Sequence, residues 1–145
     1  MKDRVRRVEY FAITIEDRPG AGASLGRRLA EQKVNLLAVL AFPVGPGRTQ
    51  VDLVPENPGA FRAAASRLGI DPGPAKTAFL VQGTDKPGAM GELMTRLGDA
   101  NINVRATAGV VCGGRRFGSL IWVAPQDVDE ASLALGASLL AINPV

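Results

Sequence analysis

The sequence repeats itself at an offset of 68 residues, and this duplication limits the folds that the chain can adopt. Asp-Arg-Pro-Gly-Ala at 17–21 aligns with Asp-Lys-Pro-Gly-Ala at 85–89. Across 17–36 and 85–104, eight of the twenty aligned positions are identical and four more are similar. A repeat of this length is one supersecondary unit copied within the chain. We therefore place two repeats, at residues 1–74 and 75–145.

Both repeats predict the same series of elements, because alternating apolar segments, turn residues and helical stripes recur in the same order. The first repeat predicts strands at 8–16, 36–44 and 49–54 and helices at 21–33 and 58–68. The second predicts strands at 76–84, 104–112, 117–124 and 139–143 and helices from 89 and over 127–136. The first repeat has no room for a closing strand. We therefore expect the strand at 76–84, as one long strand or two meeting end to end, to serve both repeats.

The apolar stripes of the predicted helices decide the fold class. Leu25 and Leu29 in one repeat, and Leu93 and Leu97 in the other, form such stripes and must pack on a sheet. The sequence thus predicts an α+β protein of two ferredoxin-like βαββαβ repeats. Each repeat is expected to form an antiparallel sheet with both helices on one face.

The residue content leaves few catalytic options. The chain has no histidine, which removes the most common general base and metal ligand, and its one cysteine, Cys112, has no thiolate partner. Catalysis by carboxylates, lysine or a cofactor stays open. We nevertheless expect a non-enzymatic protein with no catalytic residues, no metal and no cofactor.

Charge and hydropathy also restrict the partners. The net charge is only +3, and four basic residues lie within the first seven positions, which we interpret as a solvated end. Aromatic residues make up 5% of the chain, too few for an RRM-type nucleic-acid surface. No apolar run approaches the roughly 20 residues of a membrane helix. From these features we expect a protein that binds neither nucleic acid nor membrane. Its single cysteine indicates a reducing compartment, so we expect it to be cytoplasmic.

The doubled pattern of strand, Asp-x-Pro-Gly, amphipathic helix, Asn-[Leu/Val] and strand resembles the ACT domain family. The resemblance covers about residues 8–143, and the whole chain resembles the stand-alone tandem members, which have no catalytic domain. It implies a regulatory module that binds an amino acid and acts beside a metabolic enzyme or regulator.

The motif residues have suitable chemistry for such a ligand. A glycine permits close approach to the backbone, a helix N-terminus attracts a carboxylate, Asp can accept from an ammonium group, and Asn offers both a donor and an acceptor. The ligand-binding candidates are Asp17, Arg18, Pro19, Gly20, Ala21, Gly22, Asn35, Leu36, Asp85, Lys86, Pro87, Gly88, Ala89, Met90, Asn103 and Val104.

Structural interpretations of the same residues stay open. The Asp-x-Pro-Gly segments are also good strand-to-helix turns, and Asn35 and Asn103 could be helix C-caps. Ligand-binding relatives often carry a polar residue two positions before the Asp, whereas this chain has Ile15 and Gly83 there. Met90 adds bulk where the first repeat has Gly22.

The two halves of each motif are expected at opposite ends of one repeat, because the first two strands of a split βαβ unit run parallel. We therefore expect each loop to meet the Asn of the other repeat at a seam: 17–22 with Asn103, and 85–90 with Asn35. The alternative function is a protein–protein interaction module of the same fold that has lost its ligand. A homodimer is also possible.

Overall fold

The helices and strands follow the order that the repeat predicts. The computed structural model describes residues 3–137. The elements are β1 (Arg4–Glu16), α1 (Ala21–Glu31), β2 (Leu36–Gly45), β3 (Arg48–Pro55), α2 (Pro58–Leu68), β4 (Lys76–Thr84), α3 (Ala89–Asp99), β5 (Val104–Val111), β6 (Arg116–Val123), a short 3₁₀ turn (Pro125–Asp127) and α4 (Val128–Leu135). The closing strand expected at 139–143 lies outside the described residues.

The described residues divide into two units. The N-terminal unit comprises residues 9–76, and the C-terminal unit comprises residues 3–8 together with 77–137. Residues 3–8, which the sequence assigned to the first repeat, thus group with the second.

The N-terminal unit is an antiparallel sheet in the order β2-β3-β1 with α1 and α2 on one face. Alternate side chains of β1 and β3 point to these helices, and the rings of Phe11 and Phe61 lie 4.7 Å apart between centroids. The apolar core consists of Phe11, Ile13, Leu25, Leu29, Val51, Leu53 and Phe61. These residues include the predicted apolar stripe of α1.

The C-terminal unit repeats this arrangement. Its sheet is antiparallel in the order β5-β6-β4, and α3 and α4 pack on one face. Its core is formed mainly by Phe79, Val81, Leu93, Leu97, Ile102, Phe117, Ile121, Val123, Val128, Ala131 and Leu135. The prediction of an α+β fold with ferredoxin-like repeats, antiparallel strands and helices on one face is confirmed.

Strand β1 is divided between the two units, with its first residues in the C-terminal unit and residues 9–16 in the N-terminal unit. The expectation that the strand at 76–84 serves both repeats stays a prediction. β1 is 13 residues long. Its early residue Val5 packs against the C-terminal core, whereas Phe11 and Ile13 belong to the N-terminal core. The strand extends four residues earlier than predicted because these residues also alternate between the two faces of the sheet.

The interpretation of the basic N-terminus as a solvated end is therefore wrong. Arg6 is only 8% exposed, and burial lowers the pKa of its guanidinium. Arg7 pairs with Asp129 at 3.0 Å, and Asp3 accepts from the backbone N–H of Thr84 at 2.8 Å. These contacts fix the start of β1 in the C-terminal unit.

Within residues 3–137, no helix is long and apolar enough to cross a membrane. The same part of the chain contains no cluster of three or more His, Cys, Asp or Glu side chains that could hold a metal ion.

Candidate functional site

The Asp-x-Pro-Gly turns position the N-termini of α1 and α3. Gly20 and Gly88 precede these helices with φ of 88° and 83°, a left-handed conformation that favours glycine. Among the described residues, no side chain caps either helix. In α2, by contrast, the Asn57 Oδ1 accepts from the Ala60 N–H at 3.0 Å. The first turns of α1 and α3 therefore offer backbone donors and a partial positive charge.

A cleft of about 380 Å³ opens beside the first turn of α1, between this helix and β2. We call it the N-terminal cleft. Its polar rim is formed by Glu16, Asp17, Arg18 and Thr49. Its walls and floor are Ile15, Ala21, Gly22, Leu25, Gly26, Leu29, Leu36, Val39, Ala41, Val51 and Leu53. A small ligand with one polar end and one apolar end suits this lining.

The rim carries charge of both signs. The Arg18 Nε donates to the Glu16 Oε2 at 2.5 Å. Within the described part of the chain, the Asp17 carboxylate has no hydrogen-bond or ion-pair partner, although its backbone N–H donates to the Gly47 carbonyl at 3.0 Å. The turn is thus fixed by its backbone while the Asp17 carboxylate is free to accept from a ligand.

The equivalent C-terminal cleft, beside α3 and β5, measures about 490 Å³. It is lined by Asp85, Lys86, Gly88, Ala89, Met90, Gly91, Met94, Thr107, Gly109, Val110, Val111 and Phe117. The basic residue at its rim is paired with a carboxylate of the helix that follows it. Lys86 Nζ lies 3.1 Å from the Oε1 of Glu92 on α3. The two clefts share their position but not their lining.

The structure brings ten of the sixteen candidate residues to the clefts. These are Asp17, Arg18, Ala21, Gly22, Leu36, Asp85, Lys86, Gly88, Ala89 and Met90. The remaining turn residues Pro19, Gly20 and Pro87 shape the turns without lining the clefts. Val104 packs instead against the C-terminal core.

Asn35 and Asn103 line neither cleft. The Asn35 Nδ2 donates to the Glu56 Oε2 at 2.7 Å, which braces the start of β2 against the segment before α2. The C-cap interpretation of both residues is wrong, because the left-handed positions after α1 and α3 are Lys33 and Asn101. The pairing of each Asn with the loop of the other repeat stays a prediction.

Sequence reasoning missed the strand residues of the clefts. Val39 and Ala41 on β2, and their equivalents Thr107 and Gly109 on β5, line them. A usable signal existed, because positions two apart on a strand share a face and both pairs are related by the 68-residue offset.

The departures at Ile15 and Gly83 have a packing explanation. Ile15 pairs with Thr49 across β1 and β3, and Gly83 pairs with Phe117 across β4 and β6. A Cβ added at Gly83 would lie 2.4 Å from the Cε1 of Phe117. The two repeats therefore place the large side chain of the cross-strand pair on opposite strands.

No protein-family model matches the sequence, and no curated protein matches it. The similar solved structures include three from bacteria. Protein BT0572 of Bacteroides thetaiotaomicron has a TM-score of 0.76 at 13% identity, covering 92% of this chain and 88% of that one. The regulatory subunits of aspartate kinase from Thermus thermophilus (ligand-free form) and Thermus flavus have TM-scores of 0.60 and 0.58 at 18% and 16% identity. Each of these two alignments covers 94% of this chain and 95% of the aspartate kinase subunit. The chain thus has the fold of ACT-type regulatory domains.

Proposed function

We propose that this protein is a non-enzymatic, cytoplasmic regulatory module that binds an amino acid and passes its binding state to a metabolic enzyme or regulator. The observation that carries the proposal is the N-terminal cleft. There an uncapped helix N-terminus, an unpartnered carboxylate and an apolar wall meet in a space suited to a small ligand.

The chemistry of the cleft is complementary to a free amino acid. The α-carboxylate can accept from the N–H groups in the first turn of α1, where the helix dipole favours an anion. The Asp17 carboxylate can accept from the α-ammonium group, and the side chain can lie against the apolar wall. The contrast with α2 supports this assignment, since Asn57 there already occupies the equivalent acceptor position.

The regulatory part of the proposal is supported by fold similarity to regulatory subunits of aspartate kinase. At 13–18% identity this similarity concerns the fold. Amino-acid binding, the regulated enzyme or regulator, and a homodimer are therefore proposals for this chain.

A thermal-shift screen with the twenty common amino acids tests the proposal. A ligand present at a hundred times its dissociation constant adds about 2.7 kcal/mol to the free energy of unfolding. We expect Asp17→Asn to reduce the shift, because the amide no longer supplies a negative charge to the ammonium group. Asp99→Asn is the matched control, since Asp99 is an exposed carboxylate on α3 that lines neither cleft.

If no amino acid stabilises the protein, the binding proposal fails and the interaction module of the same fold is favoured. If an amino acid binds but Asp17→Asn and Asp99→Asn behave alike, the ligand lies outside the N-terminal cleft.

A further inference from the structure

We propose that the N-terminal cleft selects amino acids with aliphatic side chains, and that Met90 and Met94 close the corresponding space in the C-terminal unit, so that each chain binds one such ligand. This inference rests on the proposed function and specifies its ligand class and stoichiometry.

The first argument is the chemistry of the floor. The N-terminal cleft reaches down to Leu25, Leu29 and Leu53, which belong to the core of the unit. All of its polar lining residues lie at the rim, so a hydroxyl, ammonium or carboxylate at the end of a ligand side chain would meet only hydrocarbon. Burial of a polar group without a partner costs free energy, whereas an aliphatic side chain gains by leaving water.

The second argument is how the ligand reaches this floor. Gly22 and Gly26 lie one helical turn apart on α1 and both line the cleft. A Cβ added at either glycine would have no heavy atom within 4 Å. The absence of two side chains from α1 therefore leaves open space that leads to the core.

The third argument is what fills the same space in the other unit. The residues equivalent to Gly22 and Gly26 are Met90 and Met94, and both pack against the C-terminal core. The Met90 Sδ lies 3.7 Å from a Cβ placed at Gly109 on β5, so this side chain spans from helix to strand. Methionine is a flexible side chain that fills irregular space well.

The C-terminal cleft consequently lacks the floor of the N-terminal one. None of Leu93, Leu97 and Ile121, the equivalents of the floor residues Leu25, Leu29 and Leu53, lines it. Its lining includes instead Val110 and Val111 of β5, which are 66% and 56% exposed. This cleft therefore offers a ligand no slot lined by the equivalents of Leu25, Leu29 and Leu53.

Isothermal titration of the full chain with L-leucine, L-isoleucine and L-valine, against L-threonine, L-lysine and L-aspartate, tests the selectivity. We expect at least one aliphatic amino acid to bind with a stoichiometry of one, and the three polar amino acids to bind at least tenfold more weakly. Tighter binding of a polar amino acid, or a stoichiometry of two for the aliphatic ligand, overturns the inference.

The double variant Gly22→Met/Gly26→Met tests the route to the floor. Both positions have room and helical geometry, so we expect a folded protein that has lost aliphatic binding at least tenfold. Ala30→Met is the control, because Ala30 is exposed on α1 and lines neither cleft. Unchanged binding by the double variant overturns the inference.

The double variant Met90→Ala/Met94→Ala tests the blocked space. We expect the stoichiometry to rise from one to two, with the binding at the N-terminal cleft confirming that the variant is folded. A stoichiometry that stays at one overturns the role of the methionines. These failures are distinct from failure of the proposed function, in which the parent protein binds none of the twenty amino acids.

Discussion

At the scale of single residues, we expect the buried carboxyl group of Asp52 to lower the stability of the folded protein at neutral pH. Asp52 lies on β3 and is only 5% exposed. Burial raises the pKa of its carboxyl above the ordinary value of 3.8, although a hydrogen bond from the Gln50 Nε2 at 2.9 Å and the charge of Lys76 act in the opposite direction. Protonation of this carboxyl is therefore easier in the folded protein than in the unfolded chain.

The pH dependence follows from the sign of this shift. A group whose pKa is higher in the folded protein stabilises the fold fully when the pH lies below its pKa in the unfolded chain. This contribution is lost as the pH rises through its pKa in the folded protein. We expect Asp52→Asn to raise Tm at pH 7, because it removes a buried charge and keeps an acceptor for Gln50. The gain should shrink as the pH falls towards 3. Thermal unfolding of both proteins at pH 3, 5 and 7 checks this, and a gain independent of pH would contradict it.

Gly83 and Phe117 are expected to be energetically coupled. We expect Gly83→Ala to destabilise the protein by about 1–3 kcal/mol, because the new Cβ forces the ring of Phe117 to move. Phe117→Thr removes the ring and should cost about 3–5 kcal/mol by itself. The double variant should cost less than the sum, because without the ring of Phe117 the new Cβ has nothing to displace.

A double-mutant cycle by urea denaturation measures this coupling. Gly98→Ala is the control, because Gly98 lies within α3 and an added Cβ there meets no atom within 4 Å. It should gain about 0.5–1 kcal/mol from helix propensity. Strict additivity at Gly83 and Phe117 would show that the ring does not constrain this glycine.

At the scale of elements, we expect the N-cap of α2 to contribute to stability and the uncapped N-termini of α1 and α3 to contribute to ligand binding. Asn57 caps α2, whereas α1 and α3 follow left-handed glycines without a side-chain cap among residues 3–137. Helix α4 also lacks a side-chain cap, although it lines neither cleft. Among the four described helices, α2 is thus the one whose N-terminal donors already have a side-chain acceptor.

We therefore expect Asn57→Ala to lower the free energy of unfolding by about 1 kcal/mol, the usual contribution of an N-cap. The affinity for the amino acid identified in the screen should not change, because Asn57 lines neither cleft. Urea denaturation and isothermal titration measure the two quantities. A loss of affinity comparable to the loss of stability would contradict the separation.

At the scale of the whole molecule, the first residues of the chain stabilise its second unit. Val8 is fully buried, Val5 packs against the C-terminal core, and Arg7 and Asp3 pair with Asp129 and Thr84. Full burial of a single valine is itself worth about 1.5–3 kcal/mol.

Deletion of residues 1–8 should therefore weaken the C-terminal unit more than the N-terminal unit. Hydrogen exchange followed by mass spectrometry should show faster exchange in β4 and β6, with a smaller change in α1 and α2. Deletion of residues 1–2 alone is the control, because it leaves the contacts of residues 3–8 in place. Equal acceleration in both units would contradict the assignment of residues 3–8.

The fold was largely accessible from the sequence, because the information that specifies it is local and occurs twice. The 68-residue repeat, the alternation of the strands and the stripes of α1 and α3 predict βαββα units, and most element bounds agree within two residues. The turn residues of the clefts were accessible for the same reason, since Asp17, Gly22 and their equivalents stand in a motif.

The tertiary structure alone decided which repeat the first strand completes, how deep each cleft is, and what Asn35 contacts. A strand that alternates along its whole length can bury its ends in different cores, and the sequence does not say which core receives Val5. The depth of each cleft depends on whether positions 22 and 26, or 90 and 94, face β2 or β5 across the unit. Such long-range contacts are set by packing between distant segments, which local periodicity does not encode.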